Sequence, residues 1–161
     1  MTQWLKRAFL ILIVLAGVIQ IARPARTNPG SDPNEHIQAV LPVHPEVAAV
    51  LSRSCNDCHS NNTVWPWYSN VAPASWLVAS DVQEGRRELN FSAWRSYQGE
   101  KQQELLGEIC KQVSSGEMPG RAYVFAHPKA RLTQTDRAAL CAWTKSVAPG
   151  MGGEQEEGED D

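Results

Sequence analysis

The sequence predicts a mainly α-helical domain preceded by an N-terminal transmembrane or signal-anchor helix. Three observations lead there. Between His44 and Val147 apolar residues recur at spacings of three and four, the period of a helix with one buried face. No segment shows the alternation of a half-buried strand. An uninterrupted apolar run, Ala8 to Ala22, stands near the start of the chain, behind Lys6 and Arg7 and ahead of Arg23-Pro24. The chain of 161 residues is long enough for one domain with tails. Its net charge of -3 lacks the basic excess of a nucleic-acid binder, so no nucleic-acid partner is expected.

The expected division is residues 1–24 for the signal anchor or signal peptide, 25–43 for a linker, 44–148 for the helical domain and 149–161 for an acidic tail. The apolar run lies in length between a signal h-region and a full membrane span. Trp4 extends it, and tryptophan is frequent at membrane edges. No small-x-small cleavage site is evident around Arg23-Pro24, which favours an uncleaved anchor over a removed signal. Either way the remainder is sent across the membrane. The stretch from Arg23 to Glu35, rich in Pro, Asn, Gly and Asp, reads as a linker with little regular structure. The glycine-and-acid tail has no apolar group and is expected to be disordered.

Within the domain, Pro45 suits a first helical turn, and Val47, Val50 or Leu51, Ser54 or Cys55, and Cys58 follow on one side. A second helix covers Ser75 to Leu89, with Val78, Val82, Gly85 and Leu89 sharing a face. A third covers Glu100 to Val113, with Leu105, Leu106, Ile109 and Val113 inward and Gly116 able to end it. A fourth starts at Thr133, an N-cap with Asp136 three residues on, and places Leu140, Trp143 and Val147 on one stripe. Loops are expected between Ser60 and Pro73 and between Gly116 and Leu132.

The chemistry concentrates in Cys55, Cys58 and His59, a C-x-x-C-H run. A thioredoxin-like redox pair would open a helix after a strand, whereas this pair sits at the end of a predicted helix. A zinc site would need a second ligand pair, and Cys110 and Cys141 do not have that spacing. Covalent attachment of one haem c uses all three side chains. Two intervening residues let both sulfurs reach the two vinyl groups of one porphyrin, and the next residue directs its imidazole to the iron. Such haem is attached on the outer side of the bacterial inner membrane, in keeping with the N-terminal address. An inner-membrane protein with its haem domain in the periplasm is therefore expected.

For the other axial position Met118 and His127, each followed by proline, compete; an open site is the third possibility. His36 and His44 precede the first helix of the domain, and Met1 and Met151 lie at the ends.

At this point the sequence resembles known patterns. Gly116 to Pro119, GEMP, with the following RLTQTDRAALCAW, looks like the C-terminal half of a class I cytochrome c, with its Met-Pro strap and final aromatic-bearing helix. More closely, the segments from Ser54 to Trp94 and from Gly116 to Leu140 together resemble a family of small bacterial haem-binding domains. Members have an N-terminal anchor, one C-x-x-C-H motif and a Trp-Pro-Trp-Tyr run, here Trp65 to Tyr68. The resemblance implies a cytochrome c-like fold, thioether attachment through Cys55 and Cys58, His59 as proximal ligand and Met118 as distal ligand. This chain has Met118-Pro119-Gly120 where Met-Pro-Pro is expected, which loosens the strap.

Trp65, Trp67, Tyr68 and Trp76 are expected as bulky walls for the porphyrin, their polar atoms available to its propionates. Pro66 or Pro73 could offer a carbonyl to Nδ1 of His59. Arg86, Arg87 and Arg95 read as solvated charges. Cys110 and Cys141 either pair in an oxidising compartment or stay as separate buried thiols. The functional expectation is one-electron transfer with a redox partner protein, which requires no catalytic acid or base. The alternative is a peroxidase-like enzyme or gas sensor with an open sixth position.

Overall fold

The computed structural model describes residues 2–148. Eight α-helices and four short 3₁₀ turns follow one another, with no strand among the described residues. The expected acidic tail and Met151 lie outside the described residues.

Helix α1, Gln3–Ile19, takes up most of the apolar run. Its 17 residues rise about 26 Å, against a hydrocarbon thickness of about 30 Å. Among the described residues no helix is long and apolar enough to cross a membrane, so the expected spanning helix is not supported. The reason is visible at its end. The side chain of Gln20 accepts from Ala72 N–H at 2.9 Å and donates to Ala72 O at 3.1 Å, and Trp76 Nε1–H donates to Ala22 O at 2.6 Å. The last residues of the run are bonded to the domain instead of extending the helix.

The segment expected as an unstructured linker is also ordered. A 3₁₀ turn at Pro33–Glu35 is capped by the Asp32 side chain, and α2, Ile37–Val40, by His36. Ile37 is 0% exposed and belongs to the main core. Val40, Leu41 and Val43 pack against the same core, so an apolar stretch with side-chain caps orders the end of the segment, while residues 23–32 carry no regular secondary structure, as the composition implies.

The four long helices stand where the periodicity puts them. Helix α3, Pro45–Ser54, buries Val47, Val50, Leu51 and Ser54. Cys55 breaks the helix at φ -128°, and a single turn, α4, Asn56–His59, follows. The sequence reading had one continuous helix through both cysteines. Helix α5 spans Ala74–Glu88, and α6, Gly99–Ser115, ends on Gly116 at φ 77°, the left-handed stop that glycine adopts without strain. Helix α7, Arg121–Ala126, lies in the stretch expected as loop. Helix α8, Gln134–Val147, opens with a capping box: Thr133 Oγ1 accepts from Asp136 N–H, and Asp136 Oδ2 accepts from Thr133 N–H. Arg53 reaches the same carboxylate at 2.7 Å and ties α3 to α8.

The core joins α2, α3, α6, α8 and the turn Phe91–Ser96, with Trp94, Phe91, Leu106 and Leu140 among its fully buried members. The indole N–H of Trp143 donates to Pro42 O, fastening the ordered lead-in to α8. Cys110 and Cys141 form a disulfide with Cα atoms 4.7 Å apart, which decides the choice left open by the sequence and staples α6 to α8.

Candidate cofactor site

The site is built where α5 crosses α4. The crossing is close because residue 85 is glycine: a Cβ there would lie 2.7 Å from the carbonyl oxygen of Cys58 and 3.0 Å from its Cβ. That approach brings the end of α5 over the imidazole of His59. Nδ1–H of His59 donates to Gly85 O at 2.9 Å and to Leu89 O at 3.1 Å. Two carbonyls at one nitrogen require the proton there, so Nε2 is left with its lone pair. Phe91 packs beside the ring, 6.2 Å between centroids. Burial pulls the His59 pKa below its ordinary value, with the two backbone hydrogen bonds opposing, so the neutral tautomer that can bind a metal prevails. The carbonyls expected from Pro66 or Pro73 are therefore not the ones used. Leu89 O lies at the end of α5, where carbonyls lack a following helical N–H, while Gly85 O is shared between His59 and Leu89 N–H.

Cys55 and Cys58 are free thiols. Burial pushes Cys55 up to about 12, with the nearby Cys58 adding to it. Burial likewise pushes Cys58 up to about 11, helped by Asp81 and Asp57. This is the opposite of the lowered thiol that a disulfide oxidoreductase needs. Among the described residues no three His, Cys, Asp or Glu side chains group as a metal site, so Cys55, Cys58 and His59 do not converge on one ion as zinc ligands would.

What they share is a cavity of about 600 Å³, within the range of cofactor pockets. Cys55, Cys58 and His59 line one part of it, α5 residues Leu77, Gly85 and Leu89 another, and α6 residues Leu105, Ile109 and Val113 the far wall. Met118, Pro119 and Gly120 lie on its rim. Sequence-predicted Cys55, Cys58, His59 and Met118 are thus brought together on one cavity. They are not held alike, for Met118 is 43% exposed. Ser54 Oγ, buried on the cavity wall, has no hydrogen-bond partner. Apolar walls, an imidazole presenting Nε2, two protonated thiols and a thioether are the donor set and lining that a covalently held haem requires, and the residues fit that group. The charged side chains at the mouth are mostly acidic: Asp81, Glu84, Glu88, Glu104 and Glu108, against Lys101 and Arg121.

His127 lies elsewhere. It lines a separate cavity of about 90 Å³, stacks on Tyr123 at 4.4 Å and faces the Tyr68 hydroxyl through Nε2 at 3.5 Å. The residue that does link the Met118 segment to the Cys-His turn is one the sequence reading passed over. Tyr123 O–H donates to Asp57 Oδ2 at 2.7 Å, while Asp57 Oδ1 accepts from Val64 N–H.

Two further expectations need correction. Trp65, Trp67, Tyr68 and Trp76 do not line the large cavity, and Trp67 is 78% exposed. The indoles of Trp65 and Trp76 instead donate to Asn28 and Ala22, holding the lead-in segment. Arg86 is not a solvated charge: its guanidinium donates to Ser60 O, Thr63 Oγ1, Thr27 O and Asn28 Oδ1. It sits one residue past Gly85, so the loop after His59 and the segment before the domain are fastened to the same turn of α5. Arg95 is exposed, as expected of a solvated charge, while donating to Asn34 O and lying near Glu35.

Comparison with curated proteins and with solved structures returned no match. A family model described as a haem-binding domain matches residues 14–146, which takes in the Cys-His turn, both long cavity walls and the Met118 segment. With that extent of match over a cavity suited to the group, the chain belongs to the haem-binding domain family, and haem is its cofactor.

Proposed function

We propose that Cys55 and Cys58 hold one haem c through thioether bonds, that His59 Nε2 and Met118 Sδ are its axial ligands, and that the domain transfers single electrons to and from a redox partner protein. The observation that supports this most is the state of His59, fixed by Gly85 O and Leu89 O as the tautomer whose free nitrogen can bind iron. When bound, haem supplies a one-electron ferric–ferrous couple. The chain's own residues do the rest. His59 is oriented and kept neutral; Phe91, Leu105 and Ile109 exclude water; Met118 offers a soft ligand that favours the reduced state. The acidic mouth favours a partner with a basic face. No proton transfer is needed, so no catalytic residue is assigned.

The Cys110–Cys141 disulfide supports an oxidising compartment. Together with the basic-flanked apolar helix it supports placement of the domain in the periplasm, attached to the bacterial inner membrane through α1.

The test is extraction of denatured protein with acidified organic solvent. Pigment that stays with the polypeptide, and leaves it in the Cys55→Ser/Cys58→Ser variant, is the expected result; extractable pigment in the parent rejects covalent attachment. Spectra of Met118→Ala separate the ligand readings. Loss of the sulfur-to-iron charge-transfer band is expected. An unchanged low-spin spectrum rejects Met118.

The exposure of Met118 favours one second reading, a ligand-binding haem with an open or easily opened sixth position. Carbon monoxide binding to the reduced parent protein as fast as to Met118→Ala would support it over electron transfer.

A further inference from the structure

The residues from the loop after the Cys-His turn into the first turns of α5 are unusual in composition. From Val64 to Ser80 there is not one charged side chain or histidine, yet Val64, Trp67, Val71, Trp76 and Leu77 are all exposed. A face of this kind on a soluble domain marks a surface that something covers.

Two observations say what covers it. The first is continuity. Helix α1 exposes its apolar side chains along its whole length, and its exit is not a slack tether. Gln20 and Ala22 are bonded to Ala72 and Trp76, Arg26 to Ser69 and Asn70, and Asn28 to Thr63 O. The uncharged face is therefore laced to the end of the apolar helix residue by residue. The second is charge. In a chain with net charge -3, residues 1–31 contain Lys6, Arg7, Arg23 and Arg26 and no acidic residue. The acidic groups of the cavity mouth lie on the other side chains of α5 and on α6.

We propose that the haem domain is seated on an anionic lipid surface through this face, with Trp67, Val71 and Trp76 at the headgroup boundary. Tryptophan, with an apolar ring and one donor, partitions to that boundary, and lysine and arginine beside it attract anionic headgroups. Seating through the Trp67–Trp76 face fixes the domain's orientation, so the acidic cavity mouth is offered to a partner in one pose. This rests on the membrane attachment of α1 proposed above, but adds that the domain itself touches lipid.

The six tryptophans provide the test. The full haem-loaded chain, labelled with 5-fluorotryptophan and kept reduced so that the iron adds no broadening, is bound to phosphatidylcholine–phosphatidylglycerol vesicles. A headgroup-nitroxide lipid is then added, and ¹⁹F signals are assigned by single Trp→Phe variants. Trp4 reports on α1 alone, and buried Trp94 and Trp143 are internal references. The expected result is several-fold loss of the Trp67 and Trp76 signals with Trp94 and Trp143 retained. Broadening of Trp4 alone overturns the proposal and leaves the attachment of α1 standing; broadening of none overturns both. Loss of the Trp67 and Trp76 signals without nitroxide lipid, growing with protein concentration, identifies a second copy as the occupant and also overturns it. In Trp67→Ser/Val71→Ser, the Trp76 signal should recover while Trp4 stays broadened. An unaltered Trp76 loss in that variant counts against the proposal.

Discussion

The two regions that carry His59 and Met118 to the cavity are built in opposite ways. His59 sits under a helix crossing with no room for a Cβ, its ring held by two backbone carbonyls and its following loop fastened by Arg86. Met118 stands on a segment whose helix, α7, buries no residue, and which reaches the Cys-His turn through the Tyr123–Asp57 hydrogen bond. The difference teaches that the cavity is preorganised on one side and adaptable on the other. The preorganised side can exist before the cofactor arrives, because it needs only packed backbone. The Met118 side draws its order from what it closes upon.

This contrast can be broken or sharpened by measurement. The largest effect is expected from Cys110→Ser/Cys141→Ser. Opening a loop with a sequence separation of 31 should cost about 3–4 kcal/mol in chemical denaturation by the chain-entropy estimate. A loss below about 1 kcal/mol would mean the α6 wall does not depend on its staple. Gly85→Ala comes next. The added methyl meets backbone, not a flexible side chain, so about 1–3 kcal/mol of stability should be lost. The His59 NMR signals should shift as its carbonyl partners move. Tyr123→Phe removes one hydrogen bond to a charged acceptor on the adaptable side, with an expected cost near 1.5 kcal/mol. Amide exchange of residues 118–126 should accelerate while that of 85–89 holds; equal acceleration in both stretches would erase the distinction drawn here.

A smaller, pH-dependent effect comes from Asp136. Burial tends to raise its pKa, but hydrogen bonds from Arg53 and Thr133 outweigh it and hold the carboxyl below its ordinary value. The folded-state value is depressed, so the contribution is present above the unfolded value and is lost as pH falls through the folded one. The thermal midpoints of the parent and Asp136→Asn should differ at neutral pH and converge as pH falls below the ordinary carboxylate range. A constant gap would assign the effect to packing alone. Least of all, Met118→Ala should alter folding stability of the haem-free chain by no more than about 0.5 kcal/mol, since the side chain is largely exposed.

Much of this architecture was legible in the residues. Pro45, Gly116 and the Thr133–Asp136 pair mark helix ends by local chemistry, and the stripe Leu105, Leu106, Ile109, Val113 marks a buried face. Cys55, Cys58 and His59 stand out in the sequence by their spacing, and the fold brings all three to one cavity. What escaped was tertiary. Nothing local distinguishes the carbonyl of Gly85 from that of Pro66 as a partner for His59; only the close crossing does. Arg86 looks solvated until the loop after His59 and the residues at Thr27 and Asn28 fold around it. Ile37, Val40, Leu41 and Val43 form an apolar stretch too short, and too soon broken by Pro42, for a helical period to register. The tryptophans were misread because bulk and proximity in sequence to the motif do not say which way a ring faces. Gln20 ended the apolar helix early through a side-chain bond that hydropathy does not count.

The four cysteines leave the folded chain in two opposite sulfur states. Cys110 and Cys141 must be oxidised to staple α6 to α8, whereas the thioether attachment proposed above needs Cys55 and Cys58 still as thiols. An oxidant that acted on all four alike would spoil the second pair. Exchange proceeds through thiolate, and burial that holds Cys55 near 12 and Cys58 near 11 leaves almost none at neutral pH. The same burial that shapes the pocket therefore keeps its sulfurs unspent until they are needed.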